Sequence, residues 1–179
     1  AELPIDQRII ELHKPDVRAA ILAEDDVEGS GLLIEGLGGL TAGMLDQVFV
    51  LGDPPDYEPT PDRSIVGLAE RNGVTAHEAA YDAFCAEDGR ALLMLPLYNY
   101  VEHNHDVIRE QLTHPTAVSG LADGGAHCGF ICDASVPTTM ISHWTRDRSR
   151  GEQLPLEWVV KKQTADTAAL FGLGDRGTI

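Results

Sequence analysis

Strand-forming sequence is scarce in this chain, and that scarcity limits the folds open to it. Gln47-Val48-Phe49-Val50-Leu51 is mostly apolar and partly β-branched, and makes one short strand candidate. Residues 91–97 form a continuous apolar run, the pattern of a strand buried on both faces as in parallel sheets, although a buried helix fits the same run. A third candidate is residues 116–121, which end at Ala122-Asp123-Gly124-Gly125. A closed α/β barrel needs about eight strands. The chain therefore folds either as a small, helix-rich α/β domain or as part of something larger. Its order of strand, helix, strand, loop and helix is that of βα units.

Helical signals are stronger. Apolar residues recur near helical spacing between positions 4 and 23, with Pro15 breaking the run into two short helices. Three prolines, Pro54, Pro55 and Pro59, make an extended loop after the first strand candidate. A helix follows from about residue 62 to Arg71, stopped by Asn72-Gly73. Thr75 and Glu78 have the spacing of a capping box, so the next helix should start there and run to about Glu87. Its expected inward residues are Ala79, Ala80, Ala83 and Phe84. Asp106 is placed to cap a helix reaching Leu112. Helices are also expected over residues 136–146 and from Pro155 to about Phe171, with Gly172 as the stop. This gives a single partial domain with a helical lead-in over 1–45. A loop and helix insertion with one buried strand occupies 46–115, and the last strand, a catalytic loop and terminal helices occupy 116–179.

With 179 residues the chain has room for one real core and no more. Its net charge of −16, from 29 acidic and 13 basic residues, repels phosphate backbones and anionic lipid. Nucleic acid and membrane are thus poor partners, while a local basic pocket for a carboxylate remains compatible with that total. No stretch approaches the ~20 apolar residues that span a bilayer, and no basic-then-apolar leader opens the chain, so the expectation is a soluble, cytoplasmic protein. Cys85, Cys128 and Cys132 lack both the number of a disulfide scaffold and the spacing of a zinc knuckle, and read as free thiols.

Asp123 is the leading candidate for chemistry. It follows an apolar run and precedes Gly124-Gly125, so its carboxylate should project from the C-terminal end of a strand, where α/β barrels gather catalytic groups. An Asp-Gly turn explains the same dipeptide without chemistry. His127 could line the same mouth, or hold the loop. His103 and His105 could point alternate side chains at one ion, but their polar loop fits a solvated pair better. Arg146, Asp147 and Arg148 read as an ion-pair cluster anchoring a helix end.

The block Gly120-Leu121-Ala122-Asp123-Gly124-Gly125-Ala126-His127 and the following Ile131-Cys132-Asp133-Ala134-Ser135-Val136-Pro137-Thr138-Thr139 resemble a family signature. So do His143-Trp144-Thr145-Arg146-Asp147-Arg148, Gly151-Glu152-Gln153-Leu154-Pro155-Leu156-Glu157, and Leu173-Gly174-Asp175-Arg176-Gly177. The Gly52–Pro59 loop and Leu95-Pro96-Leu97-Tyr98-Asn99-Tyr100 are similar to the same subgroup. Together they resemble the C-terminal part of amidohydrolase superfamily enzymes of the N-acyl-D-amino-acid deacylase, or D-aminoacylase, type.

That resemblance implies a helix-rich C-terminal fragment of a metal-dependent (β/α)8 barrel, lacking the N-terminal strands and the β-sandwich. It implies zinc as the cofactor and a small N-acyl amino acid as the substrate. Asp123 would be the catalytic base and a possible metal contact, with His127, Gly124 and Gly125 beside the substrate. The other metal ligands belong to earlier strands that this sequence does not contain. The fragment would be inactive alone and would self-associate through exposed barrel edges. A rival reading is a non-enzymatic α/β interaction module derived from that barrel. A third, a self-contained metal site of Asp123, His127, His103 and His105, demands four side chains converging from two loops.

Overall fold

A computed structural model describes residues 3–24, 43–120, 122, 124–125 and 133–178. The chain divides into two units, Ala1–His103 and Asn104–Ile179. Asp123, His127, Cys128 and Cys132 lie outside the described residues.

The first unit opens with helices α1 (Ile5–Leu12) and α2 (Pro15–Leu22). The break between them falls at Pro15 as its chemistry requires. Lys14 is held extended by the proline ring that follows, and the missing Pro15 N–H costs nothing in a first turn. Strand β1 (Phe49–Val50) pairs antiparallel with β2 (Leu93–Met94), Phe49 opposite Met94 and Val50 opposite Leu93. A 3-10 turn at Pro61–Arg63 leads into α3 (Ile65–Asn72), whose N-terminal amide at Gly67 is satisfied by the Ser64 hydroxyl at 3.1 Å. Gly73 ends α3 with φ of 68°, a left-handed conformation that glycine adopts without a Cβ penalty.

Helix α4 (Ala76–Gly89) starts on the expected capping box. The Thr75 amide donates to Glu78 Oε2 at 2.8 Å, and the Glu78 amide donates back to Thr75 Oγ1 at 3.2 Å. Towards its end the helix kinks, with Ala86 extended and Glu87 and Asp88 left-handed. Ala79 and Ala83 enter the core with Val48, Ile65 and Ala69, while Phe84 is exposed, contrary to expectation. The reason is that α4 is covered on two sides. Its alanine stripe faces the core, and Tyr81 and Cys85 face α1, where the Tyr81 hydroxyl donates to Leu12 O at 2.7 Å. Phe84 lies about 100° round the helix from Ala83 and falls between the two covered faces. Burial, reinforced by the Asp82 charge, raises the Cys85 thiol, which fits a packed free thiol rather than a reactive one.

The run 91–97 also departs from expectation. Only Leu93 and Met94 join the sheet, they pair antiparallel, and Leu92 and Leu97 are exposed. Burial on both faces needs a layer packed over each, and the exposed Leu92 and Leu97 show that the run is not covered in that way.

In the second unit α5 (Asp106–Thr113) is followed by a 3-10 turn at Asp133–Ser135 and by α6 (Val136–Ser142). The last turn of α6 widens into a π-helix over His143–Asp147. Helices α7 (Leu156–Gln163) and α8 (Ala165–Leu170) close the unit. Its core is Trp144, Leu154 and Val159, packed by Ile108, Leu112, Met140 and Trp158. Residues 116–120 form no strand, because no described segment offers them a ladder partner. The expected single terminal helix is two, broken at Thr164 with φ −121° and ψ −82°. Hydroxyl groups fill the gap in the ladder: Thr164 Oγ1 donates to Val160 O at 2.7 Å and Thr167 Oγ1 to Lys162 O at 3.1 Å. Among the described residues the chain is thus helix-rich α/β with one two-stranded sheet, and no helix is long and apolar enough to cross a membrane.

Candidate functional site

Among the described residues of the second unit, chemistry-bearing side chains cluster where the start of α5 meets the end of α6. Asn104 Oδ1 accepts the Asp106 amide at 2.9 Å, an Asx turn that sets His105 as the N-cap of α5. Asp106 therefore begins the helix instead of capping it. Its carboxylate is engaged by Arg148 Nη2 at 2.6 Å. On the other element the π-turn is closed by the Arg148 amide donating to His143 O at 2.8 Å. The extra residue in that turn re-aims the side chains that leave it, a common device at functional positions.

These two elements bring His105 Nδ1 within 3.4 Å of His143 Nε2, with ring centroids 5.4 Å apart. Trp144 floors the pair, its ring 5.2 Å from His143 and 6.1 Å from His105. The Arg148 guanidinium lies 5.0 Å over the Trp144 ring, and its side chain is fully buried. It also donates to Glu152 O at 2.9 Å, while the Gln153 side-chain amide donates to Arg146 O and Arg148 O at 2.8 and 3.0 Å. Arg146 and Asp147 pair with each other on the surface at 2.5 Å, so the expected three-residue cluster is divided. Hydrogen bonding to Arg146 lowers the Asp147 carboxyl and raises Arg146 in turn.

The nitrogen spacing has a chemical meaning. Two imidazoles bound to one tetrahedral zinc at ~2.0–2.1 Å stand ~3.3–3.4 Å apart. The same spacing lets one neutral ring donate its N–H to the other. Both rings are half-buried, a setting that limits competition from water. The donor set is sound for a borderline-soft divalent ion, and an ion there would have two of its positions filled by this unit.

His103 and His105 do not behave as a solvated pair. The His103 ring lies edge-on to Phe49 and Tyr100 in the first unit, at 6.3 and 6.0 Å, and its Nδ1 is buried with no hydrogen-bond partner. Of the residues expected around Asp123, Gly125 has φ of 104°, which restricts the position to glycine in practice, and a Cβ on Gly124 would meet Ala134 Cβ at 3.0 Å. His143 was not singled out from sequence as a site residue. Its signal was present in His143-Trp144 followed by a second arginine at Arg148, a histidine flanked by an aromatic at a helix end.

Residues 2–179 match the family model described as Amidohydrolase family. The chain belongs to the amidohydrolase family. No curated protein and no solved structure matches it. Amidohydrolases are commonly metal-dependent, and in this one the His105–His143 pair has the spacing that a divalent ion requires.

Proposed function

We propose that this amidohydrolase chain is the C-terminal part of a zinc-dependent, cytoplasmic enzyme that hydrolyses the amide bond of N-acyl-D-amino acids. The observation that carries the reading is the family match over residues 2–179; the motif blocks around Asp123 narrow it to the deacylase type. Zinc, when bound, supplies Lewis acidity to the site. This chain's own contribution is the Asp123 carboxylate. It accepts a proton from the attacking water and delivers one to the departing amine, so that the products are a carboxylic acid and a free amino acid. In this reading Gly124 and Gly125 leave room for the substrate backbone, and His127 either orients the substrate or holds the loop. In this reading the remaining metal ligands come from the preceding barrel strands.

Complementation tests it. The chain alone should not hydrolyse an N-acyl-D-amino acid, and assembly with the missing half of the barrel should restore hydrolysis. Asp123→Ala should then remove activity by about 10²–10⁴-fold, the range of a positioned acid–base group. An assembled complex that binds the substrate but does not turn it over would overturn the reading and favour an interaction module.

A further inference from the structure

Two adjoining cavities in the second unit differ in character. One, of about 470 Å³, is bounded by α6, α8 and the segment 118–120, and its wall is mostly apolar: Leu112, Val136, Met140, Leu170 and Phe171. The Ser119 hydroxyl in that lining is buried and has no hydrogen-bond partner. The other, of about 500 Å³, is more polar and is lined by His114, Thr116, Trp158, Lys161, Lys162 and Asp166. Val118 and Leu170 form walls of both.

Lys162 sets the chemistry of the second cavity. The residue is only 5% exposed, its ammonium donates to Ala117 O, and it stands 5.3 Å from the centre of the Trp158 ring. Among the described residues no carboxylate pairs with it, because Asp166 is taken by Lys161. A buried ammonium held by one carbonyl and an aromatic face has lost its hydration without gaining a counter-charge, an arrangement that favours an anion beside it. The surrounding protein is strongly acidic, so an anion would reach this place only for a locally built cation.

We propose that the two cavities form one binding site for an amphipathic monocarboxylate. Its hydrocarbon chain lies against Leu112, Val136, Met140 and Phe171, and its carboxylate meets Lys162. Thr116 and the His114 ring, which already share a hydrogen bond at 2.9 Å, stand at the rim of the polar cavity. A single negative charge suits the site better than a phosphate dianion. One buried cation is on offer, and Asp166 in the same wall opposes a second charge. The volumes lie in the ordinary range for small-molecule sites, and an apolar body with few polar anchors is their usual composition. Binding here is separate from the proposed hydrolysis and is read without turnover.

The test uses the full chain with octanoate and 1-octanol, followed by calorimetry. Octanoate should saturate one site, and the neutral alcohol should bind about tenfold more weakly, as expected on losing a charge-assisted hydrogen bond. Lys162→Met should weaken octanoate by a similar factor and leave 1-octanol unchanged. Equal affinities for the two probes, unaltered octanoate binding in the variant, or no saturation would each overturn the proposal. A second measurement needs no variant: in the proton–nitrogen spectrum of the unaltered chain, octanoate should shift the Trp158 indole resonance saturably and leave that of Trp144 in place. Absence of a Trp158 shift would overturn it too.

Discussion

Arg148 shows how one side chain organises the second unit. Its guanidinium is closed off from water, stacked on Trp144, and satisfied by the Asp106 carboxylate and the Glu152 carbonyl. The pair is asymmetric: Asp106 remains two-thirds exposed, so its charge is largely solvated whether or not Arg148 is present. Removing the arginine therefore costs mainly lost packing and charged hydrogen bonds. Arg148→Met should destabilise the chain by about 2–3 kcal/mol in urea titrations. Lysine should not rescue it, since a point charge cannot reproduce a planar fork that stacks and bonds at once. Beside it, the His105–His143 pair makes a separate claim. Zinc titration of the chain should lose one equivalent on His143→Ala and the same equivalent on His105→Ala. Retention of full zinc binding by both variants would remove the pair as a metal site.

At the scale of elements, the Thr75–Glu78 box gives a pH signature. Hydrogen bonding to the Thr75 backbone, then to its hydroxyl, holds the Glu78 carboxyl below the ordinary glutamate range. The folded state thus binds that proton less readily than the unfolded chain. Its contribution is present above the ordinary range and is lost as pH falls through it to the lowered value. Glu78→Gln should be less stable than the parent at neutral pH, and the difference should shrink on acidification; a pH-independent difference in urea midpoints would contradict this. Thr75→Ala should cost about 1 kcal/mol in the same assay.

That box was legible in the sequence because both partners lie within one turn, as were the break at Pro15 and the stop at Gly73. What was not legible depends on distant partners. Phe84 looked inward because the helix's second covered face comes from α1, far earlier in the chain. Residues 91–97 read as a buried strand because apolar content says nothing about whether neighbours flank it. Residues 116–120 carry strand-like composition and find no ladder. The Thr164 break and the π-turn at His143 arise from hydroxyl back-bonding and one inserted residue, neither of which alters hydrophobic spacing. Of the site, Asp123 was offered by resemblance and lies outside the described residues, whereas the His105–His143 pairing joins two elements 38 positions apart.

For the whole molecule, charge and apolar exposure act against each other. Phe84, Leu92, Tyr98 and Val101 of the first unit all lie open to solvent. A net charge of −16 meanwhile keeps copies apart. We propose that copies self-associate through these surfaces once the repulsion is screened. Sedimentation velocity should show a concentration-dependent rise in mass that strengthens from low salt to about 0.5 M, where screening falls to a few ångströms. A monomer that persists at high concentration and high salt would rule it out.

The small sheet carries one further consequence. Phe49 is engaged on both flanks, by Met94 across the ladder and by Ser64 in an isolated bridge, and the Ile65 amide donates to Val48 O at 2.8 Å. Growth of this ribbon past β1 is sterically closed by the very turn that launches α3. Any added strand, whether supplied by more of the same polypeptide or by another copy, must zip onto the outer flank of Leu93 and Met94. Deuterium uptake at the Leu93 amide, which points away from β1, is where such recruitment would first register.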